Sequence, residues 1–496
     1  MWDDLDKLGP VLAMGGVATL ILVWGFLPRG RIPAPRNTAL LAVALLGPIL
    51  AAAWALSLLT RDEAGFAFAN SMVLDDFSYF FHFLFAGIAA AVLFSSQDYG
   101  KRFGDRQPEY YALVLLASGA MMLLAASRDL ILIYIALELT SISQYIMAAL
   151  QRDERSSEAG IKYLLLGAVA SAVILYGMAF LFGMTGSTRL IAPAGEPSIA
   201  SAIAERGEEM RAGLVLSVVF LIAGFGFKMA VVPFQMWVPD VYEGSPAPVA
   251  AFLSVASKAA GFAAVMRIFF EGLTDASISG DWADIFAVVA AVSMSVGNVL
   301  ALVQSNIKRL LGYSSIAQAG NFMVGLAAIS AAGGLEGAAS GVLFFLAAYA
   351  FTNMAAFVVV IVISDRTGSD LIADYGGMWQ RAPVLALALT LALVSLTGIP
   401  PTVGFIAKVY IFNAAVESDL VWLVVIAVLN SVVSAFYYLR IAGTMFLAEP
   451  RSRERIATSY PVRLALAVAA VGILALGIVP SPLLEVAQDA AAVFAE

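Results

Sequence analysis

Cysteine is absent from this chain of 496 residues, and histidine occurs once, as His82. A chain without cysteine has no disulfides, no cysteine-ligated iron–sulfur clusters and no thiolate zinc sites. A single histidine is too few for the usual haem or zinc ligand sets. Any redox centre coupled to this chain is therefore expected in another protein.

Charge is scarce as well. Charged residues make up 13% of the sequence, whereas soluble domains carry about 25%. Hydrophobic residues make up 61%, and the mean hydropathy is +0.89. A soluble chain of this length would fold as roughly two to four domains with polar surfaces. The sequence lacks that polar material, so it predicts a polytopic membrane protein.

Two partner classes are disfavoured by the charge pattern. No basic run indicates nucleic-acid binding. The N-terminal segment MWDDLDKLGP is acidic, which argues against a cleaved signal peptide. The first apolar stretch is therefore expected to stay in the membrane, and the lipid bilayer is the expected partner of the apolar surface.

Long apolar stretches fill most of the chain. A transmembrane helix needs about 20 mostly apolar residues, and this criterion predicts an all-α fold with about 14 transmembrane helices. The stretches are continuously apolar instead of alternating, which disfavours a β-barrel. The predicted cores are residues 10–27, 38–58, 77–96, 110–126, 130–150, 161–183, 212–235, 247–270, 285–303, 310–330, 338–363, 383–413, 420–446 and 462–480.

Basic residues predict the orientation of these helices. If the N-terminus is outside, the inner loops hold most of the lysine and arginine, including the loops 28–37 and 447–461. Both termini are then expected on the periplasmic side of a bacterial inner membrane. One membrane domain is predicted, because no long polar linker divides the chain. Its expected parts are helices 1–3 in residues 1–105, a first repeat in 106–271, a second repeat in 282–446, and the last helix with the tail in 459–496.

Four ionisable residues lie near the middle of predicted spans: Glu138, Lys228, Lys258 and Lys408. Each costs roughly 2.5–3.5 kcal/mol at the centre of a transmembrane helix. A buried Glu–Lys pair that only holds helices together is the structural alternative, but one glutamate cannot neutralise three lysines. Burial disfavours the protonated form of lysine and a nearby carboxylate favours it, so a balanced lysine can change protonation near neutral pH. The four residues are therefore candidate proton-transfer sites.

Prolines stand close to two of these lysines. Pro233 follows Lys228 and frees the backbone carbonyl of residue 229, because proline has no N–H to donate. Pro400 and Pro401 precede Lys408 and free the carbonyls of residues 396 and 397. Broken helices are tolerated in membranes where they line a polar cavity. The alternative is an ordinary proline kink, which two breaks beside two lysines make less attractive.

The two broken helices also suggest an internal repeat. Lys228 is in the seventh predicted span and Lys408 in the twelfth. Because an offset of five helices is odd, corresponding segments run in opposite directions, as in inverted-topology transporters. We therefore predict two inverted five-helix repeats with broken helices 7 and 12.

Two motifs in these segments carry a family resemblance. KMAVVPFQMWVPDVYEGSPAPVAAFLSVASKAAGF, residues 228–262, and NIKRLLGYSSIAQAGN, residues 306–321, resemble the core of the antiporter-like subunits of complex I and of multisubunit cation/proton antiporters. The resemblance covers roughly residues 70–450. The Ser257–Lys258 pair resembles the N type, equivalent to mitochondrial subunit 2, because L and M types usually have histidine there. Lysine at position 408 disfavours the M type, and the chain lacks the long C-terminal lateral helix of the L type.

The resemblance implies a function and partners. It implies a proton-translocating subunit of NADH-quinone oxidoreductase, in which Glu138 pairs with Lys228, Lys258 connects and Lys408 is the terminal residue. Such a subunit is part of a translocase but does no redox chemistry itself. The implied partners are M-type and K-type membrane subunits and a hydrophilic arm that carries flavin and iron–sulfur clusters, and quinone binds elsewhere in the complex.

The sequence departs from the family pattern at two positions. Gln235 and Gln318 stand where many relatives have histidine. Glutamine forms hydrogen bonds but does not titrate at physiological pH, so neither residue can carry a proton. Ordered water is expected to complete the path at these positions.

Other functions stay open on the sequence alone. A stand-alone or Mrp-type cation/proton antiporter is one, although a Na⁺ site favours several oxygen ligands and Glu138 is the only carboxylate within the predicted spans. A membrane subunit of an energy-converting hydrogenase is another. A purely structural membrane scaffold is disfavoured by the buried lysines.

The predicted orientation can be tested in this naturally cysteine-free chain. A cysteine introduced into the loop 447–461 should react with a membrane-impermeant maleimide only from the cytoplasmic side. A cysteine in the loop 184–211 is the matched control and should react only from the periplasmic side. Labelling of the 447–461 cysteine only from the periplasm would overturn the orientation.

Overall fold

The computed structural model describes residues 2–26, 37–61, 63–193, 195–329, 334–451 and 454–495. The predicted loop 28–37 lies outside these ranges apart from its last residue. The described elements are α1 (Trp2–Lys7), α2 (Gly9–Phe26), α3 (Asn37–Thr60), β1 (Gly65–Ala67), β2 (Met72–Leu74), α4 (Asp76–Tyr99), α5 (Gln107–Ala125), α6 (Leu130–Ala148), α7 (Glu154–Thr185), α8 (Ile199–Met229), α9 (Trp237–Gly244), α10 (Ala247–Phe252), α11 (Lys258–Arg267), α12 (Ser279–Leu302), α13 (Ile307–Ala327), α14 (Gly334–Thr367), α15 (Met378–Arg381), α16 (Pro383–Thr397), α17 (Val403–Glu417), α18 (Val421–Leu447), α19 (Tyr460–Ile478) and α20 (Ser481–Ala492). β1 and β2 form an antiparallel hairpin.

Within the described residues, helices occupy each stretch predicted to cross a membrane, apart from the helix breaks at 230–236 and 398–402. Within the described residues, ten helical segments are long and apolar enough to span a bilayer, judged by length and composition. One of them, Asp76–Ala125, covers both α4 and α5, which a 3₁₀ turn at Gly100–Arg106 joins. The apolar helices at Gly9–Gly25 and Pro383–Thr397 are shorter. The all-α polytopic fold is confirmed, and the number fourteen stays a prediction.

Two helical segments form the centre of the molecule. Ala247–Gly272 and most of Gly334–Thr367 are buried, whereas α3, α7, α18 and α19 leave long apolar side chains exposed. Exposed leucine, isoleucine and valine on outer helices are the surface that lipid covers in a membrane protein. A π-helical turn at Leu253–Ser257 directly precedes Lys258, and such turns are frequent at functional sites. The central segment thus carries one of the predicted proton sites.

Both predicted helix breaks are present. α8 ends at Met229 and α9 begins at Trp237, so Pro233 lies in the non-helical segment between them. α16 ends at Thr397 and α17 begins at Val403. The residue after each first half-helix is left-handed, with φ of 64° at Ala230 and 88° at Gly398. A left-handed residue turns the chain out of the helix and leaves the last carbonyls without helical partners.

Four charged side chains form a cluster in which Arg128, Arg267 and Glu271 are buried and Asp75 is partly buried. Arg267, which is 0% exposed, contacts Asp75 at 2.6 Å and also pairs with Glu271. Arg128 contacts Glu271 at 2.8 Å and Asp75 at 3.3 Å. Burial alone would raise the pKa of the Asp75 carboxyl, but the two arginines hold it below its usual value. The cluster ties the start of α4, the loop before α6 and the end of α11 together.

The sequence gives no local sign of this cluster, and the predicted span 247–270 ends one residue before Glu271. The structure places Arg267 inside a helix and buries the Glu271 carboxylate. Both carboxylates of the cluster are engaged by arginine, which cannot lose its proton in a protein. They therefore differ from Glu138, which has no arginine partner among the described residues.

Loss of one member of this cluster should destabilise the fold. In Arg267→Met, the buried Glu271 and the partly buried Asp75 lose a shared partner, and breaking a buried ion pair costs about 3–5 kcal/mol. Arg211→Met removes an exposed pair with Asp281 at 3.0 Å and should cost about 0–1 kcal/mol. The fraction of folded protein left after heating in detergent compares the two. Equal heat resistance of the two variants would contradict a stabilising role for the cluster.

Candidate site for proton transfer

The first predicted pair, Glu138 and Lys228, lines one small cavity of about 10 Å³ between α6, α7 and α8. The described residues give no direct ion pair between them. Lys228 donates instead to Ser141 Oγ at 3.2 Å and to Gln144 Oε1 at 2.9 Å. Glu138 accepts a short hydrogen bond from Ser171. Their charges therefore interact across polar side chains and a space near the lower limit for one water molecule.

Gln144, which is not among the predicted proton sites, is a hub: one side-chain oxygen that accepts three hydrogen bonds. Its Oε1 accepts hydrogen bonds from Lys228 at 2.9 Å, Ser257 at 3.0 Å and Tyr163 at 3.0 Å. Three other helical segments thus donate to one buried oxygen of α6, and Ser257 directly precedes Lys258. A sequence signal exists, since Ser141 and Gln144 follow Glu138 at intervals of three residues and share its side of the helix.

Lys258 begins α11, and its side chain contacts the C-terminal end of α8, where the first broken helix is interrupted. Its Nζ donates to the Met229 carbonyl at 3.2 Å and to the Ser315 carbonyl at 2.7 Å, and the side chain is buried. The Met229 carbonyl is the one that Pro233 was predicted to free. Because the C-terminal end of a helix carries partial negative charge, this position stabilises an ammonium group without a carboxylate.

Lys408 is held in the same way at the second break. Its Nζ donates to the Thr397 carbonyl at 2.8 Å and to Ser431 Oγ at 3.0 Å. Gln318 Nε2 donates to the neighbouring Leu396 carbonyl at 3.0 Å. All three carbonyls that the prolines were predicted to free therefore bind buried polar side chains, two of which are predicted proton sites.

Polar side chains fill the space between Lys258 and Lys408. Tyr349 on α14 donates to Ser315 Oγ at 3.2 Å, beside the carbonyl that binds Lys258. Tyr349, Gln318 and Lys408 line a second cavity of about 10 Å³, together with Thr352 and Ser395. Among the described residues, the polar side chains that line this cavity beside Lys408 carry hydroxyl and amide groups, so a proton would need water to cross it. Periodicity does not single these residues out, because most residues on every side of α14 are apolar.

The two glutamines in place of histidine occupy different positions. Gln318 is buried and accepts from Asn321 at 3.0 Å while it donates to Leu396, so it lies on the path. Gln235 lies in the non-helical segment between α8 and α9 and is half-buried. Of the two glutamines, Gln318 is therefore the one that lines the cavity beside Lys408.

The remaining charged residues of the two motifs hold the helices together. Arg309 pairs with Asp240, and with Glu243 at 3.1 Å. Lys308 pairs with Asp370 at 3.0 Å. These pairs lie at helix ends and connect α9, α13 and the loop after α14. In the part of the chain that the structure describes, no group of three or more His, Asp or Glu side chains could hold a metal ion.

Comparison with known proteins gives a consistent picture. Residues 127–434 match the family described as NADH:quinone oxidoreductase/Mrp antiporter, transmembrane. A protein of Dehalococcoides mccartyi named NADH-quinone oxidoreductase subunit N is 44% identical over 98% of this chain and 99% of its own length. A chain of respiratory complex I from Thermus thermophilus with bound aureothin is 33% identical, with a TM-score of 0.78 over 96% of this chain and 98% of its own. A chain of an archaeal membrane-bound sulfane sulfur reductase, at 23% identity and a TM-score of 0.85 over 99% of this chain and 98% of its own, shares the fold.

The position of Lys408 can be tested through Gly398. A Cβ atom at Gly398 would lie 2.8 Å from Lys408 Cδ, so Gly398→Ala should push Lys408 away from the Thr397 carbonyl. Gly368→Ala is the control, because Gly368 also has a positive φ of 67° but has nothing within 4 Å of its Cβ position. Both changes should cost roughly 1–2 kcal/mol of backbone strain. Proton translocation by the assembled protein should fall in Gly398→Ala alone, and equal translocation in the two variants would contradict the contact.

Proposed function

The chain belongs to the NADH:quinone oxidoreductase/Mrp antiporter membrane family as an N-type, antiporter-like subunit, and we propose that protons cross it by way of Glu138, Lys228, Lys258 and Lys408. In this role it is the proton-translocating membrane subunit of an NADH-quinone oxidoreductase. The observation that carries the proposal is the placement of buried lysines on backbone carbonyls and neutral side chains, where they bind without a fixed counter-ion.

Neutral partners make the lysines suitable carriers. A lysine that is bonded to a carboxylate leaves a buried anion behind when it loses its proton, which is costly. Lys258 and Lys408 bond to carbonyl and hydroxyl oxygens, which stay neutral in both protonation states. Deprotonation of Lys258 or Lys408 therefore leaves no buried anion behind, and the lysines can alternate between the protonated and neutral forms.

The order of proton movement follows from like-charge repulsion. Lys228 and Ser257 share Gln144, so a proton on Lys228 disfavours a second proton on the adjacent Lys258. A change of charge at Glu138 alters Lys228 first and the other lysines in turn. In this account, quinone reduction elsewhere in the complex changes the field at one end of the path, and the lysines respond in sequence.

The alternatives have less support. An Mrp-type antiporter and a subunit of an energy-converting hydrogenase share the fold, but the near-full-length relatives at 44% and 42% identity are named NADH-quinone oxidoreductase subunit N. A Na⁺ site favours several free oxygen ligands. The carboxylates of Asp75 and Glu271 are each held by two arginines.

The proposed setting is a large complex in the bacterial inner membrane. M-type and K-type membrane subunits are the proposed neighbours, and the hydrophilic arm carries the flavin and iron–sulfur clusters. Quinone binds in the other subunits, and this chain holds no cofactor. Both termini face the periplasm in this proposal. The placement in a respiratory complex is supported by a solved relative that is a chain of a respiratory complex I.

The relay is tested by removing charges at Glu138 and Lys228. Unit charges at an effective dielectric near 20 interact by roughly 4 kcal/mol at 4 Å and by about half of that at twice the distance. Glu138→Gln should therefore reduce protonation of Lys228 by about tenfold or more. Proton pumping and coupled quinone reduction should drop in Glu138→Gln and in Lys228→Met, measured in vesicles that contain the assembled complex.

The double variant and a control separate function from structure. Glu138→Gln/Lys228→Met should lose much less than the two single losses combined, because either change disables the same pair. Glu417→Gln, at an exposed glutamate that accepts from Asn413 at 2.8 Å, should pump normally. Wild-type pumping with normal assembly in both single variants would mean that the pair is only structural, and strictly additive losses would mean that the residues act separately.

A further inference from the structure

An apolar groove lies on the outer surface, away from the proton path. It has a volume of about 570 Å³, and α4, α14, α19 and α20 form its walls. Every lining residue is Phe, Leu, Ile, Val, Met, Ala or Gly, with Phe80, Gly87 and Phe94 on α4 and Phe351 and Met354 on α14. Within the described residues it is far larger than the two small cavities of the path.

The dimensions of the groove fit a hydrocarbon chain. From Phe80 to Phe94 the groove follows α4 for about 21 Å at 1.5 Å per residue. The hydrocarbon depth of one leaflet is about 15 Å, so the groove is long enough for one acyl chain. A transmembrane helix about 10 Å wide and about 30 Å long occupies roughly 2,400 Å³, several times the groove volume. An acyl chain therefore fits the groove better than a helix of a neighbouring subunit.

One end of the groove opens into a polar mouth. The next residues along the same helices, including Asp98, Tyr99, Asp365 and Arg366, line a small adjoining pocket. Lys101 pairs with Asp98 at 3.8 Å. Both acidic residues of the mouth are engaged, since Asp365 is bonded at 3.0 Å to Arg102.

Two arginines bind only neutral oxygens among the described residues: Arg366 lines this mouth, and Arg463 directly follows its lining residue Val462. Arg366 donates to the Ala457 carbonyl at 3.2 Å, and Arg463 donates to Thr458 Oγ1 at 3.0 Å. Both side chains are exposed. Arginine binds phosphate through paired, charge-assisted hydrogen bonds. The mouth thus has a surplus of positive charge at the point where a lipid headgroup would lie.

We propose that this groove binds an anionic phospholipid, with one acyl chain between α4, α14 and α19 and the phosphate at Arg366 and Arg463. The bound lipid fills the groove between α4, the central helix α14 and the outer helix α19. The site is separate from the proton path and does not depend on the proposed function.

Gly87 offers a way to fill the groove without disturbing the fold. A Cβ atom at Gly87 has nothing within 4 Å, so Gly87→Leu places a side chain in the open groove. Gly443→Leu is the matched control, because Gly443 is also helical and also has nothing within 4 Å, but it lies on α18 away from the groove. The headgroup is tested by Arg366→Gln/Arg463→Gln, with Arg152→Gln/Arg155→Gln as the control of equal charge loss.

The assembled complex in vesicles is cross-linked with phosphatidylglycerol or phosphatidylcholine that carries a photoreactive acyl chain. We expect peptides of α4 and α14 to be labelled, with phosphatidylglycerol preferred. Gly87→Leu should lower labelling by either lipid, and Gly443→Leu should not. Arg366→Gln/Arg463→Gln should reduce the phosphatidylglycerol preference by about fivefold or more. The reason is that each basic residue near an anionic lipid surface contributes about fivefold in affinity.

Three results would overturn the proposal. Equal labelling of the wild-type groove by the two lipids would remove the headgroup site. Unchanged labelling in Gly87→Leu would show that the chain lies elsewhere. Cross-links from the groove to another subunit in place of lipid would show that a protein helix covers it. None of these results bears on proton pumping, so they are distinguishable from a failure of the proposed function.

Discussion

A buried ammonium group needs oxygen partners, and in a membrane helix the backbone carbonyls are already used by the helix itself. This structure meets the need by interrupting two helices. Proline removes the N–H that would have bonded the carbonyls of Met229, Leu396 and Thr397, and those carbonyls then bind Lys258, Gln318 and Lys408. The position of the predicted proton sites thus depends on where the helices break.

The molecule uses two different solutions for buried charge. In the cluster of Asp75, Arg128, Arg267 and Glu271, each cation faces carboxylates and no proton is free to leave, which suits a fixed structural joint. Along the path, the lysines face neutral oxygens. The arginine–carboxylate cluster is stable because each charge is compensated by an opposite charge. The lysines can change protonation state because their neutral oxygen partners carry no compensating charge. The two occur on the same helical segment, since Arg267 and Lys258 are the ends of α11.

The sequence predicts the helices and the breaks well, for local reasons. Continuous apolar stretches identify the spans. Because Pro233 and Pro401 have no N–H, the carbonyls four residues before them, at positions 229 and 397, are predicted to be free. The partners of these carbonyls depend on packing between distant segments. The bond from Lys258 to Ser315 has no local signal, and the spacing of Ser141 and Gln144 after Glu138 does not identify the donors that Gln144 binds. The expected direct contact between Glu138 and Lys228 is likewise replaced by Ser141 and Gln144.

If the broken helices make the lysines functional, the prolines at the breaks are needed for proton movement. Pro400→Ala/Pro401→Ala restores two backbone donors at the second break, whereas Pro48→Ala changes a proline inside the continuous helix α3. The measurement is the number of protons moved per NADH oxidised by the assembled complex in vesicles. The account predicts a lower ratio in Pro400→Ala/Pro401→Ala and an unchanged ratio in Pro48→Ala. A normal ratio in the Pro400→Ala/Pro401→Ala variant would contradict it.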